Sequence, residues 1–216
     1  MEKLKSEVRS AFSHFDEINA ATAVPLKYLR ALCLEAMRIY PPLPLAVSRI
    51  VPKGGATVDG HFVPGGVSTY LNCSPCLQVS SFFLWQVNVS TSPFAANLSS
   101  SNFSEPYKFD PERWLTDNPT DALDACQPFL HGPRSCIGKR YEIFSSLLCF
   151  FDLVRVANPS SSNSLAWMEL ATIMAKIIFM YDLELVSKEV DWLRDSKMMT
   201  IWVRPDLMVR VKPRDA

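Results

Sequence analysis

Hydrophobic residues recur at helical spacing in three stretches of the chain. The first stretch predicts a helix over residues 2–15, with one apolar face formed by Leu4, Val8, Phe12 and Phe15. In the second stretch Pro25 suits the first position of a helix. The apolar stripe of that helix stops at Pro41-Pro42 and comprises Leu26, Leu29, Cys33, Met37 and Tyr40. The third stretch predicts a strong helix over residues 164–181.

Short β-type runs lie between and after these helices. Residues 46–51, 56–58 and 62–63 surround Asp59-Gly60, a dipeptide typical of two-residue hairpins. The tail from Thr200 to Lys212 alternates like a strand or hairpin. The pattern contains no internal repeat, and it predicts a mainly α-helical fold with small β-sheets.

Composition narrows the class of protein. The chain has 216 residues, with 22 basic and 22 acidic side chains and 48% apolar residues. These values exclude a disordered tail and a nucleic-acid binder driven by bulk charge, so no nucleic-acid partner is expected. No stretch has the apolar length of a membrane span, and the N-terminus does not resemble a signal peptide.

Six cysteines raise the question of disulfides or a metal site. Without a secretion signal, paired disulfides are not expected. Cys73 and Cys76 form a lone CxxC, and the three histidines stand at no recognisable zinc-ligand spacing, so small apolar or incidental roles are favoured. The absence of a secretion signal also gives little weight to the glycosylation sequons, which lie at Asn72, Asn88, Asn97 and Asn102.

Two motifs carry charges that suit a buried network. Glu35 and Arg38 are three residues apart and therefore share one helical face, although such a pair is by itself typical of an ordinary surface ion pair. The segment Phe109-Asp-Pro-Glu-Arg113-Trp supplies another arginine. One glutamate between two arginines would form a rigid buried network of ion pairs (the charged knot). The alternative interpretation of this segment is a simple surface loop.

The third motif is the most specific and reads FLHGPRSCIG over residues 129–138. Cys136 lies between Gly132 and Gly138, which is typical of a thiolate held in a tight loop where a flat ligand or a helix comes close. Arg134 would direct positive charge at an anionic group nearby. The alternative, a buried free cysteine acting as a small hydrophobe, does not account for the other fixed positions.

The FLHGPRSCIG segment resembles the haem-binding loop FxxGxRxCxG of the cytochromes P450 at every fixed position. The ExxR pair and the PERW element precede it in the order that the family shows. The chain, over residues 1–216, therefore resembles a partial haem domain from the C-terminal part of a fungal cytochrome P450 of the secondary-metabolite type. The implied fold is a truncated one, which we expect to be interrupted by two insertions.

The resemblance implies a role for each motif residue. Cys136 would be the axial thiolate ligand of the iron of haem b. Arg134 and Arg49 would bind the haem propionates, and Phe129 would pack beside the thiolate, in the loop that Gly132 and Gly138 shape. The structural knot would consist of Glu35, Arg38 and Arg113. Residues 43–47 would line part of the substrate pocket.

The chain departs from the family pattern in two ways. It covers less than half of a family member, and the helix that delivers protons to bound oxygen has no counterpart in it, so we expect no catalytic residue to be retained and no hydroxylation by this polypeptide alone. In addition, residues 67–86 and 140–163 interrupt the pattern. The helix SLAWMEL, which follows CIGK directly in the family, begins here at Ser164.

We hypothesise that both interruptions are retained introns that are translated in frame. The run from Arg140 can be encoded by AGGTATGAG, which contains a fungal donor-like sequence, and splicing into Ser164 restores a serine codon. The run from Val67 and the codon of Gln86 supply a second donor and acceptor. The alternative is a true loop insertion, which protein surfaces tolerate well.

The expected activity is that of a haem-thiolate monooxygenase that oxidises a small lipophilic secondary metabolite with O2. Its electrons would come from NADPH–cytochrome P450 reductase. One alternative is a family member that rearranges or dehydrates its substrate without O2. Another is a non-catalytic remnant of a broken or mis-spliced gene. Full-length members would reside at the endoplasmic reticulum through an N-terminal anchor, whereas this chain, expressed alone, would be cytoplasmic.

Overall fold

A computed structural model describes residues 1–46, 48–65, 88–117, 119–132, 135–136, 165–199 and 201–214. The predicted insertions at 67–86 and 140–163 lie outside these ranges. Within them the α-helices are α1 (Glu2–Ala11), α2 (Ala20–Ala23), α3 (Lys27–Ile39), α4 (Pro93–Asn97), α5 (Leu165–Met180) and α6 (Trp192–Asp195). Short 3-10 helices cover Phe15–Glu17, Pro111–Trp114 and Leu123–Ala125.

The strands form two-stranded antiparallel sheets. Their bounds are β1 (Arg49–Ile50), β2 (Ala56–Val58), β3 (His61–Val63), β4 (Asn88–Val89), β5 (Tyr181–Leu185), β6 (Lys197–Met198), β7 (Trp202–Val203) and β8 (Val209–Pro213). The pairs are β1 with β4, β2 with β3, β5 with β8 and β6 with β7. The prediction of a mainly helical fold with small sheets agrees with this arrangement.

The Asp59-Gly60 hairpin is confirmed. Ala56 pairs with Val63, and the turn residues Asp59 and Gly60 have φ angles of 49° and 75°. Both angles lie in the left-handed region that a two-residue turn between twisted strands requires. In the tail the strand alternative is confirmed by β7 and β8, whereas the hairpin alternative is wrong, because each of the two pairs with an earlier strand.

The first helix ends earlier than its hydrophobic pattern predicts. Leu4 and Val8 are fully buried in α1, and Phe12 is buried just beyond its end, where the backbone becomes extended. Phe15 lies in a separate 3-10 helix and is 40% exposed. The side chain of Glu17 accepts from the amides of Ser13 and His14, which stabilises this break in the helix.

The second predicted helix also begins later than expected, because Pro25 precedes the N-cap residue Leu26. Leu26 has no side chain that can cap α3. Instead the carboxylate of Glu7 in α1 accepts hydrogen bonds from the amides of Tyr28 and Leu29, both at 2.8 Å. A tertiary contact therefore sets the start of α3 and satisfies two of its free N–H groups.

Helix α1 also binds the end of α5. The guanidinium of Arg9 donates to the carbonyl oxygens of Ile178 and Tyr181, both at 3.2 Å, and to the carboxylate of Asp182 at 3.1 Å. Lys5 forms a second ion pair with Asp182 at 2.7 Å. A cation at the C-terminus of a helix is favourable because it faces the negative end of the helix dipole.

The main hydrophobic core lies where α1, α2, α3 and α5 meet. Its buried members are Leu4, Val8, Phe12, Ile18, Ala23, Leu29, Cys33, Trp167, Ala171, Ala175, Ile178 and Phe179. The predicted helix at 164–181 is thus confirmed over α5 as a core helix. No helix in the described ranges has both the length and the hydropathy to cross a bilayer.

Replacing Glu7 by Gln tests the cap that α1 provides to α3. The change exchanges one acceptor oxygen for a donor, so we expect the free energy of unfolding in urea to fall by about 1–2 kcal/mol. The control Glu2→Gln, at an exposed position of the same helix, should change it by less than about 0.5 kcal/mol. Equal losses from the two variants would contradict the assigned cap.

Candidate functional site

Glu35 is the centre of a buried charged network. Its side chain and that of Arg38 are both completely buried. The Arg38 guanidinium binds it in the bidentate manner, with Nε 2.9 Å from Oε2 and Nη2 2.8 Å from Oε1. The alternative of a surface ion pair is therefore wrong, and the helical spacing of three residues in α3 places the two groups in contact.

The segment around Pro111–Trp114 supplies three further donors to Glu35. The backbone amide of Asp110 lies 2.9 Å from Oε1, and the indole N–H of Trp114 lies 2.9 Å from Oε2. Arg113 Nε lies 3.2 Å from Oε1. Glu35, Arg38 and Arg113 thus meet in one network, as the sequence predicts, and the network joins α3 to a segment more than 70 residues away in the chain.

Arg38 also has a full set of hydrogen-bond acceptors. Nη1 donates to the carbonyl oxygens of Asn97 and Pro106 at 2.8 and 2.7 Å, and Nη2 donates to that of Lys108 at 3.1 Å. The guanidinium carbon lies 4.9 Å from the centre of the buried Phe103 ring. A buried arginine with all its donors satisfied avoids the penalty of an unpaired charge.

The network keeps Glu35 ionised. Burial alone would raise the pKa of the Glu35 carboxyl. The hydrogen bonds from Arg38, from the Asp110 amide and from the Trp114 indole outweigh this effect, so that its pKa lies below the usual value of 4.5. The carboxylate therefore holds surrounding segments together and is not available as a proton donor near neutral pH.

Sequence reasoning missed several members of this network. The Asn97 side chain is 1% exposed and donates to the carbonyl of Arg38 at 3.0 Å. Its burial excludes glycosylation of the Asn97 sequon in the folded chain. Asp121 pairs with the outer nitrogen of Arg113. No local pattern marks either residue, because Asn97 at the end of α4 and Asp121 in a loop reach the network only in the folded chain.

The loop before Cys136 has a defined backbone. Gly132 has a φ of 77°, in the left-handed region, and its carbonyl accepts from the amide of Ser135 at 3.0 Å. The amide of Cys136 donates to the carbonyl of Phe129 at 2.8 Å. The Phe129 ring meets Trp167 of α5 edge to face, with 5.8 Å between ring centres. The loop is thereby attached to the core helix, which fits a packing role for Phe129.

Among the cysteines that the structure describes, Cys136 differs from the other two. Cys33 and Cys126 are buried, which raises their pKa values to about 11 and about 12. Cys136 is exposed. An exposed cysteine at the end of a backbone loop closed by a hydrogen bond suits ligation of an external metal centre, whereas the two buried thiols suit apolar packing.

The remaining predicted residues are placed as follows. Arg49 lies in β1, where its guanidinium donates to the carbonyl of Ser48 at 3.0 Å. Leu43 and Leu45, from the predicted pocket segment, are each 42% exposed. The positions Val47, Arg134 and Gly138 lie outside the described residues. Among the described residues no group of three or more histidine, cysteine or acidic side chains could hold a metal ion.

A model of the family Cytochrome P450 matches residues 1–84 and 86–151. The chain belongs to the cytochrome P450 family. A cytochrome P450 monooxygenase ORF11 of Penicillium roqueforti is 42% identical over 190 residues, which cover 88% of this chain and 30% of that protein. The cytochrome P450 monooxygenase traB of Penicillium crustosum is 36% identical over 216 residues, which cover 98% of this chain and 34% of that protein.

A third relative is the fusicoccadiene 8-ol C-16-hydroxylase of Phomopsis amygdali. It is 36% identical over 217 residues, which cover the whole of this chain and 33% of that protein. The chain thus spans about a third of the length of the curated relatives that it matches. It is a cytochrome P450 sequence similar to fungal monooxygenases.

Membership in the cytochrome P450 family implies a haem cofactor, and the described residues fit one. P450 haem iron takes a cysteine thiolate as its axial ligand. Cys136 is exposed and offers a sulfur ligand, and a Cβ added at Gly132 would meet no atom of the described residues within 4 Å. The donor chemistry and the open approach therefore suit this cofactor.

Replacing Glu35 by Gln tests whether the carboxylate stabilises the P450 fold through its charge. Because its pKa is lower in the folded chain than in the unfolded one, its contribution is present above about pH 4.5 and is lost as the pH falls below that value. We expect the variant to lose about 3 kcal/mol at pH 7. Its unfolding free energy in urea should also fall less steeply than that of wild type between pH 5 and pH 3.

The control for this experiment is Glu169→Gln, at an exposed position of α5. It should change the stability at pH 7 by less than about 0.5 kcal/mol. Asp121 and Asp182 also have lowered pKa values, so some pH dependence should persist in the Glu35 variant. Parallel pH curves for wild type and Glu35→Gln would contradict a stabilising role of the ionised group.

Proposed function

We propose that this chain carries the haem-thiolate centre of a monooxygenase that oxidises a small lipophilic secondary metabolite. The cofactor is haem b, and the electrons come from NADPH–cytochrome P450 reductase at the endoplasmic reticulum. The observation that carries the proposal is the exposed residue Cys136 at the end of a loop that its own amide closes through a hydrogen bond to the Phe129 carbonyl. When bound, the haem supplies the means to bind and activate O2.

In this proposal each residue of the chain has a separate task. Cys136 provides the thiolate ligand. The hydrogen bond from its backbone amide to the Phe129 carbonyl fixes the backbone that carries the sulfur. The edge-to-face contact between Phe129 and Trp167 holds this backbone against α5. Arg49 and Arg134 bind the two carboxylates of the cofactor, as the family resemblance implies.

The comparisons support an oxidation reaction. Two of the relatives are named as monooxygenases, and the third is named as a hydroxylase that acts at one carbon of fusicoccadiene 8-ol. We infer the same reaction class for the protein to which this chain corresponds. The activity itself belongs to the whole protein, because the relatives are about three times as long as this chain.

A non-catalytic remnant is the second candidate, and the spacing between Cys136 and α5 favours it. Helix α5 begins at Leu165, far along the chain from the thiolate loop. A helix that starts directly behind the sulfur would stabilise the anion through its dipole, and an insertion between them weakens that effect.

The two interruptions arise, we further propose, from retained introns at residues 67–86 and 140–163. The contact between Phe129 and Trp167 supports this origin, since α5 packs against the thiolate loop as a helix joined closely to it would. A read of the transcript across codons 60–90 and 135–168 is the test. We expect mature transcripts that lack both segments, and uninterrupted mature transcripts would contradict the proposal.

The haem-thiolate proposal is tested by reconstituting the full chain with haem and adding carbon monoxide to the reduced form. We expect a thiolate-type Soret band for wild type and its loss in Cys136→Ser, because an alcohol does not replace a thiolate as ligand. The control Cys33→Ala removes a buried thiol from the core and should keep the band. Absence of the band in wild type would contradict the proposal and favour the remnant.

A further inference from the structure

The network of Glu35, Arg38 and Arg113 is not neutral by itself. It contains one carboxylate and two guanidinium groups, and their side chains are between 0% and 7% exposed. An uncompensated buried charge is strongly destabilising, because it loses its interactions with water and gains no opposite charge in their place. The structure should therefore contain a further negative group near Arg113 or Arg38.

Asp121 is that group. Its carboxylate oxygen Oδ2 pairs with Arg113 Nη1, and its side chain is only 5% exposed. The other oxygen, Oδ1, accepts from both the amide and the hydroxyl of Ser104, each at 2.8 Å. With Asp121 included, the network has two negative and two positive charges and no net charge.

Hydrogen bonding and charge also set the ionisation of Asp121. Burial would raise the pKa of its carboxyl, but the two hydrogen bonds from Ser104 and the neighbouring Arg113 outweigh this effect and lower the pKa below its usual value. The group is thus held as a carboxylate, in contrast to an exposed ion pair that contributes little to stability.

Because of its position in the chain, Asp121 connects the ion pair with Arg113 to the residues that follow it. It begins the segment that leads to the thiolate loop, and the next amide, that of Ala122, donates to the carbonyl of Asn102 at 2.7 Å. The 3-10 helix Leu123–Ala125 follows, and then comes Cys126, which is 6% exposed. Cys126 lies close enough to Arg38 and Glu35 for both charges to affect its pKa.

We propose that Asp121 is a positioning residue that neutralises Arg113 and thereby fixes residues 121–126, the segment through which the charged network supports the Cys136 loop. Its importance for catalysis rests on the proposed function. The positioning itself concerns only residues of this chain and is measurable without haem.

The test is Asp121→Asn in the haem-free full chain, with alkylation of each cysteine followed by mass spectrometry. Burial keeps Cys126 unreactive, because it raises the thiol pKa to about 12 and blocks access to the sulfur. Release of residues 121–126 should remove both effects, so we expect Cys126 to react at least about tenfold faster in the variant. Cys33, buried in the main core, should change by less than about twofold.

Two further variants accompany this measurement. Asp121→Glu retains the negative charge and should return the Cys126 rate to within about threefold of wild type. Asp124→Asn makes the same chemical change at an exposed position three residues later and should leave both rates unchanged. Unchanged Cys126 reactivity in Asp121→Asn would overturn the proposal.

Equal acceleration of Cys126 and Cys33 would also overturn it, because Asp121 would then support the whole fold and not this segment. Since no step of the experiment uses haem, its outcome is independent of the carbon monoxide spectrum. A chain that shows local release of Cys126 but no thiolate-type Soret band would support the positioning role and contradict the proposed function.

Discussion

The rest of this structure depends on the hydrogen bonds that the buried carboxylate of Glu35 accepts. Its two oxygens accept five hydrogen bonds, from Arg38, Arg113, Trp114 and the backbone of Asp110. Removing a carboxylate from water is costly, and only a complete set of donors offsets that cost. The donors from outside α3 lie in residues 110–114. Arg38, which pairs with Glu35, binds backbone carbonyls between residues 97 and 108. Together the two side chains hold the segment 97–114 against the end of α3.

From this centre, support extends along the chain to the loop before Cys136. Arg113 contacts Glu35 on one side and Asp121 on the other, and the segment after Asp121 leads to the hydrogen bond between Cys136 and Phe129. A second support comes from the hydrophobic core, through the contact of Phe129 with Trp167. The loop is thus held by a polar network on one side and by an apolar helix on the other.

Local patterns were sufficient to predict part of this arrangement. The Asp59-Gly60 hairpin, the stop of α3 before Pro41 and the pairing of Glu35 with Arg38 follow from turn chemistry and helical spacing, which act over a few residues.

Tertiary contacts determine the features that the sequence did not predict. Pro25 is not the first residue of α3, because Glu7 from another helix caps the amides two positions later. Asn97 and Asp121 resemble ordinary polar loop residues, and only folding brings them to Arg38 and Arg113. The proposed haem ligand, Cys136, is identified from a sequence motif and not from a hydrophobic pattern, since a lone thiol has no periodicity.

Hydrogen exchange at the amide of Asp110 tests the central role of Glu35 most directly. This amide lies outside regular helix or strand, and its hydrogen-bond acceptor is the Glu35 side chain, at 2.9 Å. If Glu35 holds the loop segment as described, the amide should be protected to about the same degree as those in the middle of α3. Exchange at the rate of an unstructured peptide would contradict the account.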